Sequence, residues 1–201
     1  MPDAGNAVSD PLLPLARLAG QRERTAMRQV VEAVAPAMLR AIRKVIAQQT
    51  ADLDDVLQDA VEGMLQALAS FKGGCTVLHF ACRVAVLSAL AFRRRATFRA
   101  QFSADVADAC ETAPSRAPSP MEDLQANRRR QILGWLLDEL APAQAEVLVL
   151  HCALGFTVAE TAASLGCPVE TVRSRLRLAK LALRERIGAN SEWAELLEVE
   201  R

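Results

Sequence analysis

The chain has 201 residues, enough for one ordinary domain or two small ones, and its 51% of hydrophobic and 24% of charged residues are typical of a folded protein. Aromatic residues make up only 4% and tyrosine is missing, so the composition favours helices and nearly excludes an all-β fold. Lys and Arg together number 24, as do Asp and Glu, and the formal net charge is therefore zero.

The net charge hides a segregation of charge along the chain. Basic residues dominate in segments 17–49, 83–99 and 167–188, and acidic residues dominate in segments 52–66, 100–127 and 189–201. Because charges more than about 10 Å apart are largely screened at ordinary salt, such blocks act as separate surfaces. Two of the basic segments are suited to bind nucleic acid, which is a polyanion. An acidic segment is not suited to it.

The sequence indicates a cytoplasmic protein without membrane insertion. The longest apolar run, residues 84–92, is about half as long as a bilayer-spanning helix needs. Asp3 and Asp10 precede any basic residue, which does not fit the basic start of a secretion signal. The five cysteines are odd in number and include no Cys-x-x-Cys pair, so we expect reduced thiols and no disulfide framework.

The chain begins with an arm and a helical region. Residues 1–25 lack a sustained hydrophobic period, which predicts an N-terminal arm that is either loose or folded into a short helix. From residue 26 to residue 49 apolar residues recur at helical spacing, and Pro36 predicts a break or kink within them. This region is therefore one helix or two, and it opens a first predicted domain that covers residues 26–99.

An acidic-faced amphipathic helix follows. Apolar residues from Leu53 to Leu68 obey the i, i+3, i+4, i+7 rule, Asp52 can cap the start, and Gly73 with Gly74 marks the end. The polar side chains fall on the opposite face, and they are Asp55, Gln58, Asp59, Glu62 and Gln66.

The next helix is apolar almost all round, which predicts that it is buried. It runs from Val77 to about Arg95, and Arg93, Arg94 and Arg95 are expected to emerge at its C-terminal end, where cations complement the helix dipole. Residues 100–127 combine Pro, Ser and Ala with acids, which predicts a linker. A flexible chain of that length spans roughly 30 Å, so it allows two separately folded modules.

Helical periodicity resumes at Arg128 and predicts a second domain, residues 128–188, that ends in a helix-turn-helix. Thr157 and Glu160 form a capping box, Gly166 ends the first helix of the pair, and Pro168 opens the second in its first turn.

The second helix of this pair has two stripes. Its core-facing seam consists of Val172, Leu176, Ala179, Leu183 and Ile187, and its basic stripe consists of Arg173, Arg177, Lys180 and Arg184. Glu170, Thr171 and Ser174 lie near the N-terminal end, where a recognition helix meets base edges, while the later cations suit phosphates. The simpler alternative is a solvated basic face on an ordinary helical bundle.

The last predicted segment is an acidic C-terminal tail, residues 189–201. Trp193, Leu196 and Leu197 share one side of it. We expect that side to pack on the tail's own domain, and contact with a regulator is the alternative.

These motifs resemble two regions of one protein family. The segment Leu140-Ala-Pro-Ala-Gln-Ala-Glu-Val-Leu-Val-Leu, with Gly155-Phe-Thr-Val-Ala-Glu-Thr-Ala and Leu165-Gly-Cys-Pro-Val-Glu-Thr-Val-Arg-Ser-Arg-Leu, resembles region 4 of bacterial sigma factors of the extracytoplasmic-function (ECF) group. The segments Asp52-Leu-Asp-Asp-Val-Leu-Gln-Asp, Phe71-Lys-Gly-Gly and His79-Phe-Ala-Cys-Arg-Val-Ala resemble region 2 of the same group. The resemblance covers about residues 26–99 and 128–188.

The resemblance implies an all-α, two-domain alternative sigma factor that binds core RNA polymerase and directs promoter-specific initiation. Asp55, Gln58, Asp59 and Glu62 would then dock on polymerase. Lys72, His79 and Arg83 would meet the downstream (−10) promoter element. The helix after Pro168 would read the upstream (−35) element through Glu170, Thr171, Arg173, Ser174, Arg177 and Lys180. The family commonly answers to an anti-sigma factor, and no cofactor is implied.

Three positions depart from the pattern of the family. Where its members commonly have Trp, then Asn and Asp in the same helix, this chain has Phe80, Leu87 and Ala91. The helix therefore has fewer polar groups with which to engage polymerase or melted DNA, and Phe80 keeps an apolar anchor.

A catalytic or metal site is not favoured by the sequence. It contains two histidines and no phosphate-binding glycine loop, His-Glu-x-x-His motif or nucleophile elbow, so we expect no enzyme. Cys75, His79 and Cys82, with His151 and Cys152, are conceivable zinc or redox ligands, but buried and inert cysteines are the default expectation.

Two other functions stay open at this stage. The first is a DNA-binding regulator that never joins polymerase. The second is a decoy that mimics a sigma factor and sequesters an anti-sigma factor. The decoy predicts a degraded recognition helix, whereas Arg173, Arg177, Lys180 and Arg184 are all present.

Overall fold

The computed structural model describes residues 10–46, 52–102, 120–190, 193, 196 and 197. The helices are α1 (Leu13–Gly20), α2 (Arg24–Val45), α3 (Asp52–Leu68), α4 (Val77–Phe102), α5 (Pro120–Glu139), α6 (Pro142–Leu148), α7 (Val158–Leu165) and α8 (Val169–Gly188). A π-helical turn, Val149–Ala153, continues α6. The fold is all-α, as the composition predicts. We call α1–α4 the N-terminal group and α5–α8, with the π-helical turn, the C-terminal group.

The start of the described chain is built into the N-terminal group and is not a loose arm. Ala16 and Ala19 of α1 are buried in the core. A Cβ on Gly20 would lie 2.9 Å from the carbonyl oxygen of Leu68, so the close approach of α1 to the end of α3 requires glycine. The carboxylate of Asp10 accepts hydrogen bonds from the backbone N–H groups of Leu12 and Val77, which ties this segment to the start of α4. Residues 1–9 of the predicted arm lie outside the described residues.

Pro36 does not divide the second helix. It is exposed inside α2, and the helix continues through it from Arg24 to Val45. A helical proline costs one backbone hydrogen bond, and here the burial of the apolar seam on both sides of it offsets that cost. Val30, Val34 and Met38 of this seam are fully buried.

The fourth helix is longer than the sequence predicts and lies between the two groups. It runs to Phe102, so Arg93, Arg94 and Arg95 are not in its last turn, and the dipole expectation for them is wrong. The third helix ends at Leu68, ahead of Gly73, which lies in the following loop with φ at +76°. Within 100–127, residues 100–102 and 120–127 are helical, and 103–119 lie outside the described residues.

The helix-turn-helix of the C-terminal group is formed as predicted. Thr157 Oγ1 accepts from the backbone N–H of Glu160, and the Glu160 carboxylate accepts from the backbone N–H of Thr157, which completes the capping box. Gly166 ends α7 with φ at +64°, a left-handed conformation that favours glycine. Pro168 is the N-cap of α8, one position before the predicted first turn. The described residues of the tail pack on their own group, since the Trp193 and Trp135 rings lie 6.3 Å apart and Arg129 donates to the carbonyl of Leu196.

The two groups are in contact with each other. Helix α4 touches α5, α6 and α7, and α2 touches the π-helical turn. One apolar cluster contains Val86 and Ala89 of the N-terminal group together with Ala145, Val149 and Leu150 of the C-terminal group. Among the described helices, none has the length and apolar character that crossing a membrane requires.

The capping box provides a stability test of the helix-turn-helix. Thr157→Ala removes the side-chain acceptor at the start of α7 and should lower the free energy of unfolding by about 1 kcal/mol. Denaturant unfolding followed by circular dichroism measures the change. Ser174→Ala, at an exposed position within α8, serves as control and should change it by less than about 0.5 kcal/mol. Equal effects of the two substitutions would show that the Thr157 cap does not stabilise the helix-turn-helix.

Candidate polymerase and promoter surfaces

The basic stripe of α8 faces solvent, which is the arrangement that DNA recognition needs. Arg173, Arg177 and Lys180 are exposed, as is Arg184. The seam on the other side is buried, with Val172, Leu176 and Ala179 in the core, while Leu183 and Ile187 are half-buried. The cations are therefore directed away from the core and are accessible to a polyanion.

The N-terminal end of α8 presents mixed polar groups. Glu170 and Ser174 are exposed and Thr171 is half-buried. Arg173 Nη1 forms a close ion pair with Glu170 Oε1, one turn earlier in the helix. Because both side chains are largely exposed, this pair is weak, and the guanidinium is available to a DNA base or phosphate. All six residues predicted to meet the upstream element thus lie on α8.

The acidic face of α3 is also open. Asp55, Gln58, Asp59 and Glu62 are exposed, whereas Val56 and Ala60 on the opposite side are buried. Gln58 Nε2 donates to Glu62 Oε1 over 3.0 Å. Within the described residues, none of the three carboxylates is in an ion pair. The face is a negatively charged surface that is suited to a basic protein partner.

The three residues predicted to meet the downstream element are not brought together on one open surface. Lys72 is exposed in the loop before α4. His79 and Arg83, on α4, instead face the C-terminal group. The His79 ring lies 4.3 Å from the Phe156 ring, centroid to centroid, and its Nε2 is 4.0 Å from Glu160 Oε1.

Arg83 makes a polar link between the two groups. Its Nε donates to Glu146 Oε1 over 2.8 Å, and its Nη1 donates to the carbonyl oxygen of Ser164 over 3.0 Å. The Glu146 side chain is only 10% exposed and that of Arg83 30%, so this pair is partly withdrawn from water. A hydrogen bond between two charged groups is stronger than one between neutral groups.

A second link was not anticipated from the sequence. Arg93 of α4 donates two hydrogen bonds to Asp138 of α5, from Nε to Oδ1 at 3.1 Å and from Nη2 to Oδ2 at 2.7 Å. Both side chains are more than four-fifths buried. Arg94 and Arg95 are exposed, so only the first residue of the arginine run is used in this way. No local signal marks this pair, because its members are 45 positions apart.

The cysteines and histidines do not form a metal centre in the described part of the chain. Cys82 is buried, and burial raises its pKa to about 11. Burial also raises the pKa of Cys75. His151 Nδ1 lies 2.6 Å from the carbonyl oxygen of Phe156, so it is engaged with the backbone. Among the described residues, no three His, Cys, Asp or Glu side chains are grouped so that they could hold a metal ion. Cys110 lies outside the described residues.

Comparison with known proteins identifies relatives of both halves of the chain. The family model for sigma-70 region 4 matches residues 130–183. The RNA polymerase sigma factor NccH of Alcaligenes xylosoxydans xylosoxydans is 28% identical over 171 residues, which are 84% of this chain and 90% of that protein. The ECF RNA polymerase sigma factor SigD of Mycobacterium tuberculosis (strain H37Rv) is 29% identical over 181 residues, or 86% and 82% of the two chains.

Two solved structures share the fold. CnrH in complex with the cytosolic domain of CnrY has a TM-score of 0.54 and 24% identity, covering 89% of this chain and 97% of that one. The sigma factor RpoE in complex with the anti-sigma factor NepR from Bartonella quintana has a TM-score of 0.51 and 23% identity, covering 87% and 98%. The agreement spans α-helices of both groups.

Thiol reactivity tests the burial of Cys82. Because the thiolate is the reactive form, the buried thiol with a pKa of about 11 should resist iodoacetamide at about pH 8. Exposed Cys152 should be modified first. Mass spectrometry of tryptic peptides at successive times measures both rates, and denatured protein is the control in which Cys82 should react. Equal rates in the folded chain would contradict the burial of Cys82.

Proposed function

Since the chain belongs to the ECF group of the sigma-70 factors, and is thus an alternative sigma factor in promoter-specific initiation, we propose that it divides this task among three surfaces. One surface binds core RNA polymerase, and the other two meet the promoter elements. The observation that carries the division is the exposed basic stripe of α8, of which Arg173, Arg177 and Lys180 lie inside the segment that matches sigma-70 region 4. An acidic face on a different helix complements it.

The upstream element is assigned to α8. Glu170, Thr171, Arg173 and Ser174 lie in its first two turns, where a recognition helix reads base edges in the major groove. Arg177 and Lys180 follow on the same side and are placed to hold phosphates. This assignment is supported by the burial of the opposite seam, since docking then needs no unfolding of the helix-turn-helix.

Polymerase binding is assigned to the acidic face of α3. Asp55, Gln58, Asp59 and Glu62 are exposed. The three carboxylates among them have no cationic partner within the described residues. A surface of this kind steers a basic partner and fixes its orientation more than it adds raw affinity.

The downstream element is assigned to Lys72, His79 and Arg83 once the two groups move apart. In the described arrangement Lys72 alone is open, and the other two are engaged by the C-terminal group. This third surface is therefore the part of the proposal that depends on a change of conformation.

The proposal also states where the protein acts and that its role is regulatory. It acts in the cytoplasm, where polymerase and chromosome are, and it is a regulatory protein without catalytic activity of its own. Both solved neighbours were captured with a second protein, CnrH with the cytosolic domain of CnrY and the sigma factor RpoE with the anti-sigma factor NepR. We propose that this chain also answers to an anti-sigma factor.

Run-off transcription tests the proposed function. Purified chain and core RNA polymerase, given fragments of the source genome, should yield discrete transcripts that core enzyme alone does not make. The double variant Asp55→Asn, Asp59→Asn should bind core polymerase about tenfold more weakly in a pull-down, because it removes two exposed charges from the docking face.

Glu32→Gln is the matched control for that variant, since Glu32 is an exposed acid on α2 that is paired with Arg28. It should bind core polymerase as the unchanged chain does. No complex with core polymerase, together with retained DNA binding, would replace the sigma factor by a DNA-binding regulator that never joins polymerase. Absence of both would favour the decoy.

The role of Arg173 has its own test. Arg173→Ala should cost about 1–3 kcal/mol of promoter binding and relax specificity if the side chain reads a base, or lower the salt slope by about one if it touches a phosphate. Binding of promoter fragments across a salt series measures both quantities. Arg28→Ala, which removes an exposed cation from α2, is the control and should change neither. If Arg173→Ala behaves like its control, Arg173 is not a reader of DNA.

A further inference from the structure

One cleft of the molecule belongs to none of the three surfaces assigned to polymerase and promoter. It lies between the C-terminal end of α2 and the middle of α5 and has a volume of about 480 Å³. Arg40, Arg43 and Lys44 line it from α2 and Arg130 lines it from α5, and among the described residues no acid lines it. We call it the α2–α5 cleft.

The three cations from α2 are not neutralised within the described part of the chain. Arg40, Arg43 and Lys44 are exposed, and they form no ion pair with a described residue. Asp138, which follows a lining residue of α5, is already bound to Arg93 by two hydrogen bonds. Like charges three and four positions apart on a helix repel each other, so an anion that bound in the cleft would relieve that repulsion.

The dipole of α2 accounts for only part of this cluster. Arg43 and Lys44 are in the last turn of α2, where cations complement the negative end of the helix. Arg40 lies before that turn, and Arg130 lies in the middle of α5, so neither is placed to complement a helix end. The fold nevertheless brings all four cations to one cleft, and such a concentration of positive charge attracts a polyanion.

The cleft also has an apolar lining. Val45 is buried, Leu137 is half-buried, and Leu133 is 50% exposed. Small-molecule sites combine an apolar lining with a few charged groups, and their volumes are about 300–1,000 Å³, a range that includes this cleft. A guanidinium group binds phosphate through its planar fork and also stacks on flat rings. The lining therefore suits a ligand that has both a ring system and several phosphates.

We propose that the α2–α5 cleft binds a nucleoside polyphosphate, with its phosphates on the four cations and its base against the apolar lining. Duplex DNA carries the same phosphate charge. However, a duplex presents its phosphates on a convex surface with the bases stacked inside, so it cannot place a base in a cleft between two helices. This inference does not depend on the proposed function and is tested without polymerase.

Isothermal titration calorimetry of the full chain without Mg²⁺ tests the site. ATP and GTP are the probes, and tripolyphosphate and the free nucleosides each carry one half of the recognised chemistry. At least one nucleotide should bind at a single site. Tripolyphosphate should bind about tenfold more weakly, because it has no ring to bury, and the nucleosides should show no measurable binding.

A charge-matched pair of variants locates the phosphates. Arg43→Gln combined with Lys44→Gln removes two cations from the cleft and should weaken nucleotide binding about tenfold or more. Arg24→Gln combined with Arg28→Gln is the control, since it removes two exposed cations from the same helix outside the cleft. The control should bind the nucleotide as the unchanged chain does.

A second pair of variants locates the base. Leu133→Gln should weaken nucleotide binding about fivefold and leave tripolyphosphate binding unchanged, because only the ring uses the apolar lining. Leu181→Gln replaces a leucine of similar exposure on α8, 48% against 50%, and should change neither affinity. Circular dichroism verifies that each variant is folded, and if one cleft variant fails to fold, the other decides.

The remaining outcomes overturn the inference. Equal affinities for nucleotide and tripolyphosphate would reduce the cleft to a general anion site. Nucleotide binding that both cleft variants retain would lie elsewhere on the molecule. Absence of nucleotide binding, with duplex binding weakened in the Arg43 and Lys44 variant more than in its control, would assign the cleft to DNA phosphates. A chain that directs run-off transcription but binds no nucleotide would fail this inference alone and leave the proposed function intact.

Discussion

Helix α4 has apolar residues on nearly every side, and such a helix is stable only when it is covered on more than one face. The other helices of the N-terminal group cover one side of α4, on which Val77, Ala81 and Ala85 are fully buried. The C-terminal group covers another, where the cluster with Val149 and Leu150 forms. The contact between the two halves of the molecule is therefore a direct result of burying this one helix.

Two arginines, Arg83 and Arg93, form hydrogen bonds with carboxylates at the border of that contact. Arginine is suited to both kinds of partner, since its planar fork binds a carboxylate or a phosphate equally well. The same property that fits Arg83 to Glu146 is the one on which its proposed contact with DNA depends. While Glu146 holds Arg83, the acidic face of α3 and the basic stripe of α8 remain open to solvent.

Much of this organisation was predictable from local sequence patterns. Helical periodicity, the capping box of Thr157 and Glu160 and the left-handed Gly166 depend on neighbours within a few residues, and each is confirmed. The exposure of the α8 stripe follows from its period in the same way. The Arg93–Asp138 pair and the covering of His79 and Arg83 depend on residues far apart in the chain, and no spacing rule encodes them. Pro36 and the alanines of α1 show the same limit, because tertiary burial outweighs local propensity there.

The two tryptophans of the chain lie in contact with each other. The chain contains two tryptophans and no tyrosine. Both indole rings belong to one contact, Trp135 on α5 with Trp193 after α8. Ultraviolet emission excited at the indole band consequently originates from a single place, so the unlabelled protein carries an intrinsic optical probe of how Trp193 sits on α5.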